Sequence, residues 1–298
     1  MLRGTAMNNE IHTFGDALLK ATVSARGAEL TSLTQADGAP LLWNAGPEWR
    51  RHSPVLFPIV GRLPGDTATI DGKAYHLTQH GFARDQAFQF VETTSDGCVL
   101  ELHENERSLA AFPFRFRLRI AYAIAGGKLA VHYTVVNPDD RKVLHASLGA
   151  HPAFLWPLHK GDPGTAYRLV FEEPEPEPIR RVSGGLLSAA AYPTPVNGRE
   201  LALDDSLFAD DAVIFDQIRS RSLVFGRPGA AGLKVSWEGF PELGVWTKPG
   251  APFLCIEPWH GLATPQGFSG EFRDKPGLFH LQPGEAWEAG WAVEVVNA

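Results

Sequence analysis

The chain is predicted to be all-β: a large antiparallel β-supersandwich with very little helix. Long runs alternate apolar and polar residues with period two, and two-residue turn signals separate them. Between those runs, 30 Gly and 23 Pro punctuate the sequence into short strands. No long segment carries both a helical period and a convincing cap.

Taken in order, Asp16 to Leu33 could be forced onto a helix, but Gly27 interrupts it and it reads as two strands. Asp71-Gly72, between Thr69-Ile70 and Ala74-Tyr75, is a hairpin signal. Phe114, Phe116, Leu118, Ile120 and Tyr122 alternate with Arg115, Arg117, Arg119 and Ala121, as in a half-buried strand with one wet face. Leu129, Val131, Tyr133 and Val135 repeat the pattern after a Gly126-Gly127 turn. Glu172 to Pro178 (Glu-Glu-Pro-Glu-Pro-Glu-Pro) cannot pair inside a sheet and reads as a solvated connector. Strand patterns of one kind flank it, so it is expected to be a long loop within a single domain spanning residues 1–298. Residues 1–10 would form a loosely ordered extension. Trp287, Ala289, Trp291, Val293 and Val295 supply a last strand.

Composition narrows the function. An apolar fraction of 44% with 10% aromatic residues supports a sizeable core. The formal net charge of −7, from 27 basic and 34 acidic residues, argues against nucleic acid or an anionic membrane as partner. Two cysteines, Cys98 and Cys255, make neither a metal knuckle nor a disulfide framework, and Cys255 inside an apolar run reads as a buried free thiol. With no apolar signal core over Met1 to Glu10 and no apolar run near the length of about 18 residues that a spanning helix needs, a cytoplasmic location is expected.

Chemistry concentrates in Phe253-Leu-Cys-Ile-Glu-Pro-Trp-His-Gly261. Leu254 and Ile256 fall on one strand face and Phe253, Cys255 and Glu257 on the other, so a carboxylate ends an apolar strand that Pro258 is expected to stop. Trp259 and Gly261 add a flat apolar surface and room for close approach. Such a carboxylate suits a base acting on a small polar ligand; it would equally suit a structural pair with an arginine across the sheet. In Ser147-Leu-Gly-Ala-His-Pro-Ala-Phe154, Ser147, Gly149 and His151 share a face, leaving a hollow beside the histidine. His145 shares that face and could support the histidine, and His260 could line a rim. Gln79-His80-Gly-Phe-Ala-Arg84 and Phe57-Pro-Ile-Val-Gly-Arg62-Leu63 place a histidine and an arginine beside glycines.

Together and in this order, these four motifs resemble the aldose 1-epimerases, the galactose mutarotase-like proteins, from about Leu18 to Val295. The match is nearest a bacterial branch distinct from the best-studied mutarotases. The resemblance implies a β-supersandwich with a sugar cleft across one sheet, and interconversion of the α and β anomers of an aldose with no cofactor. Carried over by motif, Glu257 is the general base, His151 the general acid, His80 orients the sugar and Arg62 binds its hydroxyls. An aspartate is also implied near Phe208 to Asp216, with Asp211 preferred to Asp216. Trp246, Trp259 or Phe82 would wall the cleft.

Mutarotation requires the anomeric hydroxyl to lose a proton while the ring oxygen gains one, so a carboxylate and an imidazole suffice. No metal is expected, since no close ligand spacing such as His-x-His occurs. The expected partner is a small-molecule sugar, with the chain a monomer or homodimer. Two other functions are open: a hexose-6-phosphate 1-epimerase, for which Arg62, Arg84 and Arg50-Arg51 would take the phosphate, or a non-catalytic sugar-binding protein.

Overall fold

The computed structural model describes residues 10–297, so the expected N-terminal extension lies, apart from Glu10, outside the described residues. All strand pairs are antiparallel. Nine strands form the larger sheet, in the order Glu200–Ala202, Arg168–Phe171, Ser222–Gly226, Ala231–Glu238, Ala286–Asn297, Lys128–Val136, Arg117–Ala125, Gly97–His103, Gln89–Thr93. The smaller sheet runs Val213–Phe215, Glu242–Trp246, Phe253–His260, Leu148–Ala150, Val55–Leu56, with Ala153–Leu155 also paired to Phe253–His260.

The two sheets share one hydrophobic cluster. Leu118, Ile120, Val131 and Val293 enter it from the larger sheet and Leu148, Leu243, Leu254 and Ile256 from the smaller, all at most 1% exposed. Phe154 meets Trp291 across the gap, ring centroids 6.4 Å apart. Each fully buried large side chain contributes roughly 1.5–3 kcal/mol relative to exposure, so this interface is the main source of stability. The opposite face of the smaller sheet is then free to carry the site.

The period-two runs form strands as their sequences predict. Gly126 and Gly127 both have positive φ, 60° and 76°, as a tight hairpin between Arg117–Ala125 and Lys128–Val136 requires. Asp71-Gly72 joins Thr67–Ile70 to Lys73–His76. The Asp16–Leu33 region is indeed strand, Leu19–Ser24 and Glu29–Gln35. The one α-helix among the described residues, Glu106–Ala111, opens on a capping box in which the side chains of Asn105 and Ser108 bond each other's backbone N–H. It is neither long nor apolar enough to cross a membrane.

Two expectations need correction. Glu172–Pro178 is not wholly solvated, because Glu175 is 2% exposed and its carboxylate accepts the N–H groups of Arg219 (3.0 Å) and Ser220 (2.8 Å). The loop cannot join a ladder, so a side chain satisfies the neighbouring backbone instead. Nor does Pro258 end its strand, which continues to His260. On one side Pro258 pairs with Leu243; on the other, the partner chain is interrupted between Ala150 and Ala153, so no ladder bond is lost.

Candidate active site

That interruption builds the site. Gly149 pairs with Trp259 and Ala153 with Cys255, so the shared register sets His151 opposite Glu257. Both side chains leave the sheet on the face away from the core, and His151 Nε2 lies 3.1 Å from Glu257 Oε2. The pair is buried, at 7% and 1% exposure, in the floor of a pocket of about 300 Å³. Clefts of this order hold small organic ligands.

Aromatic rings wall the pair. Trp49 stacks on His151 at 4.9 Å and 25°, and Trp246 meets it edge-on at 6.0 Å. Trp259 lies over two neighbouring strands, and glycines make room for it. A Cβ at Gly149 would come within 2.5 Å of its ring, and one at Gly244 within 2.3 Å. The hollow foreseen beside Gly149 is therefore filled by indole.

Two loops close the pocket. His80 sits at φ 65° and Asp211 at φ 66°, a region that non-glycine residues seldom occupy and that recurs at functional sites. Gly61 N–H donates to His80 Nδ1 at 3.1 Å, which leaves the imidazole proton of the neutral ring on Nε2. Asp211 stands exposed at the mouth, and Arg181 holds its carbonyl at 2.8 Å. Arg84 lines the wall, donating to the Gln79 carbonyl at 2.7 Å, while its buried Nε finds no partner.

Burial governs the electrostatics. It pushes the Glu257 carboxyl well above the usual carboxylate range, and the Asp211 charge adds to the shift. The Trp259 indole opposes this, although its N–H meets no acceptor in good hydrogen-bonding geometry. Burial drives His151 down to about 3, helped by the Arg84 and Arg51 charges, and depresses His80 as well. Glu257 Oε2 and His151 Nδ1 both lack hydrogen-bond partners. Burial thus favours the uncharged forms, a carboxyl facing a neutral imidazole with one proton to share, at a spacing that also suits an ion pair.

Of the residues singled out in the sequence, Glu257, His151, His80, Asp211, Trp259, Trp246 and Arg84 converge on this pocket. Arg62 does not line it: its guanidinium is held by Asp66 at 2.7 and 2.9 Å, with the side chain flanking Gly185 at the rim. Phe82 packs instead on Phe57, Phe112 and Phe116 in the core. Asp216 is drawn off by Arg180, 3.6 Å away. His145 pairs with His280, Nδ1 to Nδ1 at 2.7 Å, and His260 Nδ1 accepts from Trp287 at 3.2 Å, so neither serves the pocket. Trp49 is a lining residue that no sequence pattern marked, and Gln79, which opens the His80 motif, lines the pocket beside it. Cys98 and Cys255 are buried free thiols.

A sequence profile described as aldose 1-epimerase matches residues 10–170. The chain belongs to the aldose 1-epimerase family. The chain is 32% identical over 282 residues to the protein LacX of Lactococcus lactis subsp. lactis, covering 91% of this chain and 94% of that one. It is also similar to a solved galactose mutarotase related enzyme from Lactobacillus acidophilus, at TM-score 0.88 and 31% identity, over 96% of this chain and 97% of the other. A galactose mutarotase-like protein from Lactobacillus casei matches at TM-score 0.88 and 30% identity, over 96% and 100%. The family's fold is thus the fold of this chain.

Proposed function

We propose that the protein is an aldose 1-epimerase acting on a free aldose, with Glu257 and His151 as its acid–base pair. One observation carries the reading: the two groups face each other at 3.1 Å in the floor of an indole-walled pocket. Ring opening takes the O1 proton, protonates the ring oxygen O5 and breaks C1–O5, giving the open-chain aldehyde. Rotation about C1–C2 and the reverse steps deliver the other anomer. The pair holds one proton to share: the atom that carries it protonates O5, and the other accepts from O1–H. In its carboxylate–imidazolium form Glu257 is the base and His151 the acid, and the sugar supplies the hydrogen bonds that both groups lack in its absence. His80 Nε2–H and Asp211 would hold ring hydroxyls, and the indoles would stack on the C–H faces.

Polarimetry on freshly dissolved α-galactose and α-glucose tests the reading, with NMR exchange spectroscopy as a check. A rate above the spontaneous one supports it; an unchanged rate with sugar still bound would make the protein a sugar binder. Arg84 favours one second reading. Its guanidinium is shared with no close carboxylate, Asp85 being 3.9 Å away, and it lines the wall where a phosphate could dock. A 6-phosphate substrate turning over far faster than the free sugar would decide for that alternative.

A further inference from the structure

We propose that His151, Cys255 and Glu257 form a three-donor site for a borderline-soft divalent cation of the Zn²⁺ class, seated in the pocket floor. No spacing in the sequence announces such a site; the sheet register creates it. Cys255 and Glu257 leave the same face of one strand two residues apart, and His151 stands opposite Glu257 on the next. The residue opposite Cys255 is the small Ala153. One ligand atom from each of the three side chains lies within 4.8 Å of the other two. The spacing of 3.1 Å between His151 Nε2 and Glu257 Oε2 is close to the edge, about 3.3 Å, of a tetrahedron built on metal–ligand bonds of about 2.0 Å.

A second, independent observation points to an occupant. Glu257 Oε2, the oxygen that faces His151 Nε2, is a buried polar atom without a partner in good hydrogen-bonding geometry, a cost that folded proteins seldom leave uncompensated. The donor set selects the metal class. Thiolate, imidazole and carboxylate together favour zinc over magnesium or calcium, which take oxygen shells. Three protein donors leave a fourth position facing the pocket, open to water or another ligand. A cation bound there ties up both groups of the acid–base pair, so it should exclude the sugar chemistry; that consequence alone rests on the epimerase reading. Cys255 itself does not line the pocket and takes no part in that chemistry.

The test uses the full-length protein stripped of metal with a chelator and titrated with CoCl2. Binding at one cobalt per chain with a thiolate-to-cobalt charge-transfer band, displaced by Zn²⁺, is the expected result. Cys255→Ser should abolish the band and weaken Zn²⁺ by about a hundredfold in chelator competition, roughly 2.7 kcal/mol. His151→Asn and Glu257→Gln should each weaken Zn²⁺ too, whereas Cys98→Ser should change nothing. X-ray absorption at the zinc edge of the wild-type protein covers the case in which the Cys255 variant fails to fold. One sulfur at about 2.3 Å with nitrogen and oxygen at about 2.0 Å supports the site. An absent band, a sulfur-free shell, or undiminished Zn²⁺ affinity in Cys255→Ser overturns it. Should polarimetry find no anomerisation, these spectroscopic results still decide the metal site by themselves.

Discussion

Two pairs of ionisable groups draw Glu242 from the strand Glu242–Trp246 and Glu257 from Phe253–His260, each with a partner from another segment, and they are treated in opposite ways. Glu242, opposite Trp259, accepts the Gly261 N–H at 3.0 Å. Nearby Lys275, 2% exposed, donates to the carbonyls of Leu262 (2.7 Å) and Pro276 (3.2 Å). These groups bond the backbone and hold the turn after Gly261. Glu257 and His151 have each other at 3.1 Å and carry orphaned atoms beside an opening. A satisfied buried charge reads as architecture, and an unsatisfied one at a pocket as a place for a ligand.

The largest effect that would sharpen this contrast comes from the unsatisfied pair. Glu257→Gln and His151→Asn should each lower kcat by at least about a hundredfold with the fold intact, as expected for groups acting in the transition state. Near-full activity in either variant, measured by polarimetry, would strip that residue of its role. Next comes the glycine bed of Trp259. Gly244→Ala pushes a methyl into the indole, so KM should rise roughly tenfold and stability fall by about 1–3 kcal/mol. Unchanged near-ultraviolet circular dichroism and KM would show that the ring does not need that space.

A smaller effect separates the two arginines. Arg84→Ala should raise KM several-fold, while Arg62→Ala, whose guanidinium is already held by Asp66, should leave KM within about twofold. The reverse order in steady-state kinetics would put the rim arginine in the sugar's path. The satisfied pair predicts the smallest change, one of stability alone. Burial lowers Lys275 to about 8, so its neutral form is favoured in the fold; that contribution is present above its unfolded value of 10.5 and is lost as pH falls through 8. Burial raises Glu242 to about 7, so its contribution is present below 4.5 and is lost as pH rises through 7. The two together place a minimum between pH 7 and 8. Melting temperature should therefore climb by a few degrees from pH 8 towards 10, and Lys275→Met should flatten that rise. An identical slope in the variant would remove Lys275 as its cause.

Much of this was legible in the sequence, and what was not has physical causes. The strands declared themselves because one face is dry and the other wet, which imprints period two from Leu118 to Tyr122 and from Leu129 to Val135. Pro258 misled because whether a proline stops a ladder depends on its partner strand, and the break at His151-Pro152 lies more than a hundred residues away. Glu257, His151 and His80 could be named since glycines and prolines bracket them. Trp49 could not, because its loop carries no periodicity and reaches the pocket through the bond from Trp43 Nε1 to its carbonyl at 2.9 Å. Arg62 reads as a ligand contact from its motif, whereas Asp66, four residues on, holds its guanidinium.

Glu257 and His151 are spaced by the cross-strand ladder, whereas His80, Arg84, Asp211 and Trp49 stand on connecting segments. On the proposed reading, the spacing of the reacting groups is set by the ladder and recognition by the connecting segments, which touch the pair through Trp49 stacked on His151. On that reading, insertions or exchanges in those segments that spare Trp49 alter which sugar is admitted without moving His151 and Glu257. A single-residue slip in either ladder strand would turn the pair to opposite faces and end the chemistry at once. Selection for new substrates can therefore work on the rim while the floor stays fixed.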